Sequence, residues 1–226
     1  MLLMKNWLET RWRLTAVFGY LILFLAITYH NQQPGMKVSN LLFPLWMILT
    51  FGVLTLAGGG VKTQSPAGFP EGLAESTQFT LALPVSRLRL AAVRAAVGLM
   101  ETAAVTVIAA CAAWNLFPAL RASTTPADFA RVLLTTLVWL TGPYCSAFLF
   151  ETLLAEPFSM MIAGWVFGLL LWLLHHIAPA VDLTRAFTQA SPLITHRLPW
   201  PQMATSASVA LILFVAAVRI VQTREY

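Results

Sequence analysis

Charge is what this sequence has least of. Of 226 residues, 10% are Asp, Glu, Lys or Arg, against about 25% in an average soluble domain. That shortage excludes an ordinary solvated surface, and it excludes a disordered chain, which charge would keep extended. Cysteine is scarce as well: the two residues, Cys111 and Cys145, cannot make a disulfide framework. No phosphate-binding G-x-x-x-x-G-K-[ST] loop is present, because Gly58-Gly59-Gly60-Val61-Lys62-Thr63 lacks a Gly directly before its Lys and follows no strand. ATP hydrolysis by this chain alone is thus not expected. Metal-binding spacing is missing too, since His175 and His176 are adjacent and on a helix point about 100° apart. Ser146 and Ser159 stand in no glycine-framed nucleophile motif. The expectation is a chain with no catalytic residue, no metal and no cofactor of its own. The 14 Lys and Arg outnumber the 9 Asp and Glu, but they are scattered singly, with no basic face to follow a phosphate backbone, so nucleic acid is not an expected partner. A negatively charged bilayer surface is.

Hydrophobicity is what the chain has in abundance, at 58% of residues with a mean hydropathy of +0.75. A helix crosses a hydrocarbon core roughly 30 Å thick with about 20 mainly apolar residues. Six windows of that kind lie at about 14–29, 41–57, 90–114, 129–150, 158–177 and 203–221, bounded by polar or turn-forming clusters such as His30-Asn31-Gln32-Gln33-Pro34-Gly35, Gly58-Gly59-Gly60 and Ser123-Thr124-Thr125-Pro126. No polar stretch is long enough for a soluble domain. The fold class expected is therefore an all-α integral membrane protein, with residues 1–226 forming one transmembrane domain of six helices.

Ahead of the first window, Leu2, Leu3, Trp7 and Leu8 alternate with Lys5, Glu9 and Arg13, which reads as an amphipathic N-terminal helix lying on the membrane surface with its charges in water. A cleaved signal peptide fits less well, because the apolar stretch exceeds the usual ~7–15 residues. Six spans place both termini on one side. With the amino end inside, eight cations are cytoplasmic (Lys5, Arg11, Arg13, Lys62, Arg87, Arg89, Arg219, Arg224) and five external (Lys37, Arg121, Arg131, Arg185, Arg197), which favours cytoplasmic termini. The segment around Glu151 and Glu156 is then a cytoplasmic loop between spans four and five. Cys111 and Cys145 fall toward opposite ends of their spans, too far apart for the ~7 Å a disulfide allows, so both are expected as free thiols.

Ionisable groups within a span are costly and mark places to look for function. Arg94 and Glu101 lie seven residues apart in the third window, on one helix face, with Gly98 between them. Two readings stand: a polar lining of a substrate pathway or a helix-packing switch, or an Arg94 that snorkels to headgroups beside a Glu101 hydrogen-bonded to a neighbouring helix.

Between windows two and three runs Glu71-Gly72-Leu73-Ala74-Glu75-Ser76-Thr77-Gln78-Phe79-Thr80-Leu81-Ala82-Leu83-Pro84-Val85-Ser86-Arg87. A short helix from Gly72 to Leu83 would carry Glu71, Glu75 and Gln78 beside Leu73, Phe79, Leu81 and Leu83 until Pro84 breaks it, and Ser86 is placed to cap the third span. Such a helix suits a groove on a soluble partner, or is simply an interfacial linker. The stretch resembles the first cytoplasmic loop of ATP-binding cassette (ABC) transporter permeases of the type-2 class, in which an acidic residue precedes a short helix, then "LxLPVSR" and the next membrane helix. The layout of the whole chain is similar to that family; the motif covers about 17 residues. What the resemblance implies is a cytoplasmic coupling helix whose contacts with a cassette ATPase subunit are Glu71, Glu75, Phe79 and Arg87. It also implies ATP and Mg bound by that partner, a homodimer or heterodimer of permeases, and residence in the cell inner membrane.

The stretch from Ala178 to Gln202 holds Pro179, Pro192, Pro199 and Pro201 among apolar residues. It is too apolar for a free loop and too broken for a span, and is expected as a re-entrant or surface-lying turn capping the outer pathway. Two other functions remain open at this stage: an intramembrane enzyme, which needs polar residues converging at one depth, and a non-transporting membrane assembly protein.

Overall fold

The computed structural model describes residues 2–31, 38–57, 87–153 and 158–223. Among these there is no strand. The elements are α1 (Leu2–His30), α2 (Val38–Ala57), α3 (Arg87–Leu116), α4 (Pro118–Ser123), α5 (Pro126–Leu153), α6 (Phe158–Ile177), a 3-10 turn (Leu183–Phe187), α7 (Pro192–Thr195) and α8 (Trp200–Thr223). Each of the six apolar windows lies inside one helix: α1, α2, α3, α5, α6 and α8 in order. Among the described residues, four segments are long and apolar enough to cross a membrane, namely Arg13–His30, Ala91–Leu116, Pro126–Leu153 and Trp200–Thr223. Large apolar side chains also point outward from the bundle, among them Tyr20 and Ile22 on α1, Trp165 and Leu169 on α6, and Leu211 and Ile212 on α8. Water penalises so continuous an apolar exterior, whereas lipid tails accept it. The chain has the build of a multi-pass membrane protein.

Two expectations are corrected here. The amino-terminal segment is not a separate surface helix: with no proline before Pro34, it runs unbroken into the first span as the 29-residue α1. Glu151 does not lie in a loop. It belongs to α5 and is buried at 3% exposure, because the helix continues past Phe150 with nothing to break it.

Helix α5 is the centre of the bundle and packs against α2, α3, α6 and α8. Its start is set by Thr125, Pro126 and Asp128. The Asp128 backbone N–H donates to Thr125 Oγ1 at 3.1 Å while the Thr125 hydroxyl donates to the Asp128 carboxylate at 2.8 Å, a reciprocal cap with proline at the first helical position, where its missing N–H costs nothing. Midway, Pro143 interrupts the ladder and leaves the Trp139 carbonyl without its usual helical donor. The Ser206 hydroxyl of α8 occupies that gap, shared between the carbonyls of Val138 at 3.2 Å and Trp139 at 3.3 Å. Two further bonds tie α5 to its neighbours: Tyr144 donates to the Ala95 carbonyl of α3 at 3.2 Å, and Ser146 donates to the Ala163 carbonyl of α6 at 3.3 Å. Hydrogen bonds of this kind supply specificity where lipid removes the hydrophobic drive between helices.

The stretch between α6 and α8 folds over the end of the bundle where α3 stops and α5 and α8 begin. Leu183 and Ala186 of the 3-10 turn are buried. Ser191 caps α7 by accepting from the Leu193 N–H, and His196, left-handed at φ 54°, closes it by donating its N–H to the Pro192 carbonyl. This segment is a folded cap on the bundle.

Candidate functional site

Beneath the cap lies a cavity of about 640 Å³, within the roughly 300–1,000 Å³ range of small-molecule sites. Helix α2 contributes Leu45, Trp46 and Leu49, α3 contributes Ala110 and Ala113, and the cap closes over them with Phe187. Small side chains on α3 facing large ones on α2 leave the space open. Of the lining rings, Trp46 lies 4.9 Å from Phe187, and behind them Trp139 lies 4.2 Å from Trp46 and 5.9 Å from Phe187 and meets Phe167 of α6 edge-on at 5.6 Å. Phe187 thus joins the cap to the bundle through ring contacts on α2 and α5.

Two aspartate–histidine pairs fasten the cap. His196 Nδ1, at the end of α7, donates to Asp128 Oδ2 of α5 at 2.8 Å, and Arg131 pairs with the same carboxylate. His175 Nδ1, on the last turn of α6, donates to Asp182 Oδ2 at 2.7 Å. Asp182 is fully buried and also accepts from the Thr184 N–H at 2.9 Å and the Thr184 hydroxyl at 2.8 Å. Burial pushes the Asp182 carboxyl up, but the bonds from His175 and Thr184 outweigh it and hold the group below the usual carboxylate range. His176 turns away and donates to the Trp172 carbonyl at 2.8 Å, so the adjacent histidines diverge to separate partners. Gln202 completes the attachment by donating to the Ala180 carbonyl at 3.0 Å.

A second polar group sits in the half of the bundle away from the cap. Arg94 on α3 is buried at 7% exposure and so faces protein rather than lipid, while Glu101, two turns on, is half-buried. The Tyr144 hydroxyl of α5 meets α3 between these two residues, at the Ala95 carbonyl and over Gly98. Arg13 of α1 approaches Glu151 at 4.0 Å. The structure therefore brings α1, α3 and α5 together around charged side chains within an apolar bundle, where an isolated charge is costly and needs partners.

Of the coupling residues read from the sequence, Glu71, Glu75 and Phe79 lie outside the described residues, and Arg87 is the first residue of α3. Both cysteines are free, Cys111 exposed and Cys145 buried. Asp128, His196, Asp182, Tyr144 and Glu151 were not singled out by sequence reasoning. Asp128 carried a legible signal, the Thr-x-x-Asp capping pattern; the histidine partners come from 68 and 7 residues away and left none. Among the described residues no three His, Cys, Asp or Glu side chains cluster to hold a metal ion. The arrangement is a partly enclosed, chiefly apolar chamber beneath a clamped cover, open at the exposed cap residues Thr188 and Gln189. No family model, no curated protein and no solved structure matches the chain.

Proposed function

We propose that this chain is the membrane-spanning permease subunit of an ATP-driven ABC transporter, an exporter working by alternating access. In this reading all six long helices cross the inner membrane, both termini are cytoplasmic, and the cap is external. Two copies, identical or paired with a related permease, surround the pathway. A separate cassette ATPase supplies the chemistry, and the helix expected between Gly72 and Leu83 receives its motion through Glu71, Glu75, Phe79 and Arg87. The observation that carries the reading is the partly enclosed cavity between α2, α3 and α5 beneath a cover tied down by side-chain pairs: a molecule can be held there until the cover moves, as alternating access requires. The loop sequence from Glu71 to Arg87 supports the partner's identity.

The test is co-purification of a tagged cassette ATPase with wild type, Phe79→Ala and Glu71→Ala at matched membrane expression. Loss of a buried aromatic anchor costs 2 kcal/mol or more, roughly thirtyfold in affinity, and loss of a rim charge far less. Phe79→Ala should therefore lose the ATPase while Glu71→Ala retains most of it. Equal recovery with all three chains would move weight to a non-transporting assembly role.

A further inference from the structure

The lining of the capped cavity discriminates between classes of ligand. Four of its five hydroxyls already donate, Thr106 to the Thr102 carbonyl at 2.8 Å, Thr135 to Arg131 at 2.8 Å, Thr136 to Val132 at 2.9 Å and Thr188 to Thr184 at 3.3 Å, and the fifth, Ser191, accepts from the Leu193 N–H at 3.4 Å. The remaining walls are chiefly aliphatic and aromatic. A peptide placed here would bring more amide donors and acceptors than the few polar groups of the lining can satisfy, and a sugar would fare worse. A hydrocarbon chain brings no such group and gains contact with every wall. The polar, exposed part of the lining is Thr188 and Gln189 on the cap, which gives the cavity one polar rim and a chiefly apolar interior.

We infer that the cavity is a binding site for a single acyl chain, its tail lying between Trp46, Ala110 and Leu133 and its polar head emerging at Thr188 and Gln189. This deepens the transport reading by naming the ligand's class. The binding is a property of this chain alone and is measured without any ATPase, so a failed transport assay leaves it standing, and the converse holds as well.

The acyl chain has two sources, a free fatty acid and a phospholipid, and the experiment separates them. The full-length chain in nanodiscs of dimyristoyl phosphatidylcholine is photolabelled with a diazirine-bearing palmitate in one arm. The other arm uses phosphatidylcholine carrying the same diazirine chain. Cross-links are then mapped by peptide mass spectrometry. Saturable labelling concentrated on 186–194 and 110–133 supports the site in either arm and identifies the source by the arm in which it occurs. Excess unlabelled palmitate should lower the palmitate signal there by about tenfold, as simple occupancy requires, while a leucine-rich hexapeptide at the same concentration leaves it unchanged. Ala110→Phe, which fills the cavity from α3, should abolish the signal. Competition in the unchanged chain decides the matter even if that variant folds poorly. Labelling spread evenly over the lipid-facing sides of α1 and α6, indifferent to competitor, overturns the proposal, and so does displacement by the peptide.

Discussion

The Tyr144 hydroxyl reaches the Ala95 carbonyl at 3.2 Å by crossing directly over Gly98, where a Cβ would stand 2.2 Å from that oxygen and 2.9 Å from the ring carbon bearing it. Glycine at 98 is what allows a buried tyrosine of α5 to lie against the backbone of α3. The sharing is mutual: the small residue creates the space, and the phenol satisfies its own buried hydroxyl on the carbonyl exposed there.

Gly98→Ala should accordingly destabilise the α3–α5 contact by about 1–3 kcal/mol, the usual range for overpacking. Tyr144→Phe alone should cost about 1 kcal/mol for the lost bond. Combined, the two should cost less than their sum, because removing the hydroxyl removes the closest clash, although the ring carbon at 2.9 Å keeps the relief partial. Unfolding in mixed micelles titrated with sodium dodecyl sulfate measures all three; strict additivity would contradict the geometry.

Pro143 and Ser206 form a second coupled pair. Ser206→Ala removes the donor that α8 offers to the Val138 and Trp139 carbonyls and should cost about 1 kcal/mol. Restoring an N–H with Pro143→Ala lets α5 satisfy the Trp139 carbonyl within its own helix. In that background Ser206→Ala should be close to neutral. An equally large loss in both backgrounds would show that the hydroxyl acts on something other than the proline gap.

How much of this was legible in the sequence depends on the range of the interaction. The apolar windows marked every long helix, because hydrophobicity and turn clusters are local signals, and the window at 158–177 coincides with α6 to the residue. The proline-broken stretch before α8 was readable as a cap for the same reason. The end of α5 was misplaced: Glu151 looks like the start of a loop, and Arg13, which approaches it in the fold, comes from a helix more than a hundred residues earlier. Arg94 and Glu101 stood out as ionisable residues in an apolar run, but nothing local indicated that Tyr144 would pack onto α3 between them. The cavity was not legible at all. It depends on which faces of α2, α3 and α5 meet.

The Arg13–Glu151 approach predicts an asymmetry. Arg13→Leu leaves the Glu151 carboxylate buried with one compensating charge fewer, whereas Arg13→Leu with Glu151→Leu replaces the approach by apolar packing. The single change should therefore destabilise α1 against the bundle by more than the double change does. Because Arg13 is about a quarter exposed, water screens part of the interaction, and a difference of about 1–2 kcal/mol is expected. Detergent-micelle unfolding monitored by tryptophan fluorescence reads it. A double variant less stable than Arg13→Leu would mean that Glu151 is held chiefly by other groups.

Acid should loosen the cap through Asp182. Its carboxylate lies 3.9 Å from Arg185 Nε and accepts from His175 at 2.7 Å and from the Thr184 N–H and hydroxyl at 2.9 and 2.8 Å; the His175 and Thr184 bonds hold it below its ordinary range despite burial. A carboxyl lowered on folding stabilises the folded state fully above its unfolded pKa of about 3.9 and loses that contribution as pH falls through the lower folded value. At neutral pH the clamp is thus at full strength. Asp182→Asn removes the charge and turns an amide N–H₂ toward donors, so at pH 7 the variant should be less stable by about 1–3 kcal/mol. The gap between the two chains should narrow below about 4 as the wild-type carboxyl protonates. Taking the difference cancels the parallel titration of Asp128, which both chains retain. Thermal unfolding of wild type and variant in the same micelles at pH 7, 5, 4 and 3 measures the gap; one that stays constant down to pH 3 would sink the assigned role of Asp182.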